Sequence, residues 1–114
     1  MPAFDTSIRD RALKEKRERL EQERRTLLGV VERTLKENRE KYDIREAYIT
    51  GSLIEPHRWY AFSDVDVVVG GCPQHIFPIM RELEEATGKE VDVIDLDGHP
   101  LPDWVRRRSA RIYG

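Results

Sequence analysis

One cysteine, Cys72, stands among 114 residues, which excludes an internal disulfide and a cysteine-built zinc site. Long apolar runs are missing too: nothing approaches the ~18 consecutive residues of a membrane span. The N-terminus, MPAFDTSIRDRALKEKRERLEQ, holds no apolar stretch of the kind a secretory signal needs. An excess of positive charge is also absent. Twenty Lys and Arg face 22 Asp and Glu, for a net charge of −2, so direct nucleic-acid binding, which normally leaves a basic footprint, is not expected. The expectation is a soluble, cytoplasmic protein without a membrane partner. At roughly 100–200 residues per domain, the length suits one core. Leu, Ile, Val and Phe are frequent enough, and the net charge small enough, to exclude global disorder.

What is present divides unevenly. The first 43 residues are mostly charge around a thin apolar thread of Ile8, Leu13, Leu20, Leu27, Leu28, Val31 and Leu35. Ser7 with Asp10 forms a weak capping box. Glu15/Arg19, Glu21/Arg25, Glu32/Lys36 and Glu37/Lys41 stand at the favourable i,i+4 spacing. These features predict a long helix from Ser7 to Glu40, which at 1.5 Å per residue spans about 50 Å. Its first half is expected to project, or to bend near Gly29. Leu13 and Leu20 are expected to touch another chain, a second copy or a different protein, because the complementary heptad positions are charged and no self-standing coiled coil is possible. Residues 1–26 are thus a projecting extension and 27–114 the domain proper.

From residue 44 the pattern is strand, loop, strand, helix, strand. Ile44–Thr50 is β-prone, and Val65–Val69 is a β-branched run suited to a strand covered on both faces. Pro73–Thr87 has helical spacing with Gly88 as C-cap, Val91–Leu96 is a third strand, and Pro100–Tyr113 reads as a terminal helix.

Asp is depleted in strands, and a buried carboxylate is costly unless paired or bound to metal. Yet Asp64 and Asp66 flank Val65, and Asp92 sits between Val91 and Val93. Side chains two apart share a face, so Asp64 and Asp66 point the same way, about 6–7 Å apart at Cα. If the two strands are neighbours, three carboxylates converge on one patch. A hard divalent cation removes their repulsion, and two such ions can clamp a phosphoryl transfer. Ordinary strand-end aspartates, solvated or paired with Arg, would give the same letters. Thr50-Gly51-Ser52 follows the first strand and offers free N–H groups and a hydroxyl suited to phosphate oxygens.

Gly51-Ser52, eleven residues, Asp64-Val65-Asp66 and a downstream Asp92 resemble the signature of the DNA polymerase beta nucleotidyltransferase superfamily. More narrowly, the chain is similar to the minimal nucleotidyltransferases (MNT) over residues 27–114, and Arg106–Tyr113 resembles their final helix. The spacer before Asp64 is one residue longer and bulkier than the family pattern. The resemblance implies an α/β fold: a small mixed β-sheet with flanking helices, like the polymerase beta palm, here with a long N-terminal helix.

It also implies that Asp64, Asp66 and Asp92 are catalytic and bind two Mg²⁺ ions, with Mn²⁺ as substitute. Gly51 and Ser52 would hold the nucleotide's β- and γ-phosphates. The implied activity is transfer of a nucleoside monophosphate, AMP from ATP, to a hydroxyl of a partner protein. The implied partner is a HEPN-family toxin for which the chain is antitoxin, with homo-oligomers as a further possibility. Two other readings stay open: neutralisation of the toxin by binding alone, and transfer to a small molecule, which in relatives usually involves a second domain.

Around this constellation, His57, Trp59 and Tyr60 either stack on a base or, as expected here, pack against Phe62. His75 and His99 lack partners at ligand spacing and are expected at the surface. Asp95 faces away from Asp92. Arg106–Arg108 and Arg111 fit either a triphosphate or a solvated basic helix.

Overall fold

The computed structural model describes residues 6–114, so the first five residues of the expected extension lie outside the described residues. Helix α1 spans Ser7–Glu37 without interruption, and Gly29 lies within it with open space around its Cα. The helix buries Glu21, Arg24, Leu27, Val31 and Leu35, spaced three or four apart and therefore on one face. Burial of each of these aliphatic side chains is worth about 1.5–3 kcal/mol. Residues 6–19 are exposed throughout, and the molecule measures 67 × 28 × 19 Å because this half of α1 extends beyond the body. Leu20 is half-buried and packs against the molecule's own core, whereas Leu13 is exposed. The N-cap is Thr6 rather than Ser7, and the Thr6 hydroxyl donates to Asp10.

Four strands form one mixed sheet in the order β3-β2-β1-β4, with β1 Glu46–Thr50, β2 Val65–Gly70, β3 Val91–Asp95 and β4 Ala110–Tyr113. β1 is antiparallel to both β2 and β4, whereas β2 and β3 are parallel, joined by α2 (Ile76–Thr87). Alternation along the strands builds two layers. Ala47, Ile49, Val65, Val67 and Val69 face α1 and α2 in the main core. Tyr48, Val68 and Leu96 meet Val105 of the short helix α3 (Pro102–Arg107) on the other face. Gly88 caps α2 at φ 69° with its N–H on the Glu84 carbonyl, as its position predicts.

The C-terminus departs from the expected helix. Only Pro102–Arg107 is helical; Ala110–Tyr113 is a strand on the open edge of β1. Two forces favour this outcome. Ile112 and Tyr113 are strand formers, and β1 would otherwise present unpaired backbone groups along an edge. Tyr113 is further fixed by its hydroxyl, which donates to the Leu35 carbonyl at 2.9 Å, and by Arg39 over its ring. The aromatic loop also differs from expectation. Trp59 is buried against α1, its indole N–H donating to Glu23, while Phe62 is 92% exposed.

Candidate active site

The sheet register decides which candidate residues meet. Thr50 on β1 pairs with Asp66 on β2, and Asp66 pairs with Asp92 on β3. One row across three strands therefore carries the start of the Gly51-Ser52 turn, Asp66 and Asp92. Asp64 stands just before β2, two residues upstream of Asp66. Val65 and Val67, fully buried on the opposite face, anchor the strand and so fix Asp66.

Asp66 is the most constrained of the three. It is half-buried, while Asp64 and Asp92 are exposed. Burial first, then the nearby Asp92 and Asp64 charges, push the Asp66 carboxyl above its ordinary pKa. Among the described residues no Lys or Arg forms an ion pair with any of the three. The outer two carboxylates are exposed, and Asp66 lies half-buried beside Asp92 with no cation paired to it. Among the described residues, no three His, Cys, Asp or Glu side chains are drawn together into a ready-made metal cage. The donor set, three carboxylates around one half-buried member, nevertheless suits a hard divalent cation, which prefers oxygen ligands and completes its shell with water and phosphate.

Gly51 opens a 3-10 turn, Gly51–Ile54, with φ 75°, in the left-handed region. A Cβ at Gly51 would lie 2.5 Å from an Asp66 carboxylate oxygen. Only glycine satisfies both conditions, so the turn lies directly against the carboxylate. The Thr50 side chain makes no capping hydrogen bond to the turn.

Three of the four basic residues near the C-terminus, Arg106, Arg108 and Arg111, have other partners. Arg106 makes a forked pair with Glu46, at 2.8 and 3.1 Å, and reaches Asp103 as well. Arg108 lies over Trp104 and Arg111 over Tyr48. The Thr50 hydroxyl donates to the carbonyl of Arg108, the C-cap of α3, so the end of α3 is tied beside the Gly51-Ser52 turn. Glu46 was not conspicuous in the sequence. Its pairing with Arg106, aided by the Tyr48 hydroxyl, holds its carboxyl below the ordinary carboxylate pKa. A lowered folded-state pKa contributes stability above the unfolded value, and that contribution is lost as pH falls through the folded value. Urea titrations of wild type and Glu46→Gln should therefore show a constant stability gap near neutrality. The gap should close in acid, below the ordinary carboxylate range.

Of the other histidines, His75 stacks on Tyr42 and the His99 ring accepts a bond from the Leu101 N–H. Asp95 accepts the Asp97 N–H, apart from the carboxylate row. Among the described residues, no helix is long and apolar enough to cross a membrane.

No protein-family model and no curated protein sequence matches the chain. Solved structures do. A chain from a toxin–antitoxin crystal structure with AMP-PNP aligns with TM-score 0.61 and 19% identity, over 73% of each chain. A second, from the toxin–antitoxin MntA-HpeT in a mutant with two aspartates changed to glutamate, aligns with TM-score 0.59 and 18% identity, over 73% of this chain and 72% of that one. A third, from the toxin–antitoxin MntA-HepT, gives TM-score 0.50 at 18% identity, over 81% of this chain and 70% of that one. The chain thus shares the expected mixed α/β fold with these toxin–antitoxin chains.

Proposed function

We propose that the chain is a minimal nucleotidyltransferase acting as the antitoxin of a HEPN-type toxin, which it modifies by transferring AMP from ATP to a hydroxyl. One observation carries the reading: Thr50, Asp66 and Asp92 lie in a single row across three strands, with the Gly51-Ser52 turn following Thr50 and Asp64 two residues before Asp66. The fold neighbours support it, since one was solved with AMP-PNP and all three are toxin–antitoxin structures.

Asp64, Asp66 and Asp92 would hold Mg²⁺, or Mn²⁺ in its place, which supplies the positive charge that neutralises the phosphate oxygens. The residues of the chain do the positioning. Gly51 and Ser52 hold the β- and γ-phosphates through backbone N–H groups and the hydroxyl, leaving the α-phosphate opposite Asp66. The acceptor hydroxyl attacks the α-phosphorus next to Asp92. A new oxygen–phosphorus bond forms, the α–β anhydride bond breaks, pyrophosphate leaves, and the hydroxyl proton passes to Asp92 or to water. Catalysis of this kind rests on orientation and electrostatics. The exposed half of α1, with Ile8 and Leu13 exposed, is the part of the extension offered to a partner.

Thermal melting tests the site itself. Mg²⁺ with AMP-PNP should raise the wild-type melting temperature, because a ligand bound only by the native state stabilises it. Asp64→Asn with Asp66→Asn should lose that rise and, with the repulsion gone, melt no lower than wild type without ligand. A double variant that responds as wild type does removes the carboxylates from the site.

A further inference from the structure

Among the described residues, the buried charges are Glu21 and Arg24, at 8% and 7% exposure, one turn apart on α1. Their spacing in the sequence suggests a surface pair of Glu21 with Arg25, but the structure pairs Glu21 with Arg24 and turns both inward. The Arg24 Nε donates to the Glu21 carboxylate, and its Nη1 donates to the Leu53 carbonyl at 2.8 Å. The Glu21 carboxylate in turn accepts the His57 backbone N–H, at 3.3 and 3.5 Å to its two oxygens. His57 sits at φ 64°, a conformation rare outside glycine. The two charges thus grip a short segment at both ends. Leu53 is the third residue of the turn that Gly51-Ser52 opens, and His57 begins the loop leading back to Asp64.

A buried ion pair is a poor way to gain stability, since apolar residues of similar volume often serve as well or better. A placement that stability does not explain calls for another role. The turn supplies one. Gly51 has no spare room against Asp66, where even a methyl group would be 2.5 Å from the carboxylate. Misplacement of reacting groups by about 1 Å can cost a hundredfold in rate. A turn so close to the carboxylates needs a hold on its far side, and the Leu53 carbonyl is where that hold is applied.

We propose that Glu21 and Arg24 are positioning residues for the nucleotide: through Leu53 and His57 they set the Gly51-Ser52 turn against the carboxylate row. The proposal rests on the nucleotidyltransferase reading. It gives α1 a part in the site through the Leu53 carbonyl and the His57 N–H.

The test measures binding of Mg²⁺–AMP-PNP to the full chain by calorimetry, beside thermal melting of each protein. Glu21→Leu with Arg24→Met replaces the pair by apolar volume and leaves no stranded charge. It should melt close to wild type yet bind the nucleotide about tenfold or more weakly. Arg24→Lys keeps a charge for Glu21 but loses the planar fork that serves two acceptors at once. It should fall between the two. A folded double variant that binds within twofold of wild type overturns the proposal. Should the double variant fail to fold, Arg24→Lys decides: weaker binding at an unchanged melting temperature supports the proposal, and wild-type binding overturns it. Absence of binding by wild type would instead remove the nucleotidyltransferase reading, and this proposal with it.

Discussion

Replacing Asp64 and Asp66 together by alanine should lower nucleotidyl transfer by about a thousandfold or more, with the fold intact. The magnitude follows from what two carboxylates of this site would hold. Metal-borne stabilisation of transition-state charge is worth several kcal/mol, and each 1.36 kcal/mol is about a factor of ten in rate. Retention of the fold follows from burial. The strand is secured by Val65, Val67, Val68 and Val69, all with 0% exposure, and not by the carboxylates. Asp66 is, if anything, a burden on the free protein, because burial and the Asp92 and Asp64 charges disfavour its ionised form. Transfer of label from α-³²P-ATP, read beside a melting curve, separates the two effects. A variant that melts as wild type and transfers at a similar rate would contradict the assignment of these residues.

Gly51→Ala should be nearly as damaging to activity, by about a hundredfold, although it adds one methyl group. Alanine at φ 75° costs about 1–2 kcal/mol in the left-handed region. The new Cβ would also lie 2.5 Å from the Asp66 carboxylate oxygen, so the turn or the carboxylate must move. Either shift separates the Gly51-Ser52 turn from the carboxylate row. Gly29→Ala provides the contrast. Gly29 is helical and its Cβ would meet nothing within 4 Å, so alanine there should stabilise by about 0.5–1 kcal/mol and leave transfer unchanged. Both substitutions are measured by urea unfolding and by transfer rate. Equal behaviour of the two would show that the tight approach of Gly51 to Asp66 has no functional weight.

The carboxylate row was legible because it violates a local rule. Aspartates inside a β-branched run are costly, and the alternation of Asp64, Val65, Asp66 and Val67 assigns their faces without any coordinates. The register that brings Asp92 beside Asp66 was conditional on two strands being neighbours, which the helix between them favours but does not dictate. The long helix was equally plain from its spacing. Three features were not legible, each for a non-local reason. The strand at Ala110–Tyr113 depends on an open edge supplied by β1, more than 60 residues earlier in the chain. The inward turn of Glu21 and Arg24 depends on the Leu53 carbonyl and the His57 N–H; from spacing alone they belong to a solvated helix face. Trp59 packs toward Glu23 on α1 instead of toward Phe62, three residues away, because the loop folds back across the helix. Local pattern locates what is costly in itself, whereas distant partners must be seen.

Modification of a partner protein by this chain would be recorded most directly in the intact mass of that partner. A HEPN-type toxin co-expressed with this chain and purified should carry one or more added AMP groups, and should lose them when Asp64→Ala and Asp66→Ala are introduced. A partner of unaltered mass after co-expression with the wild-type chain would contradict the claim and leave neutralisation by contact in its place.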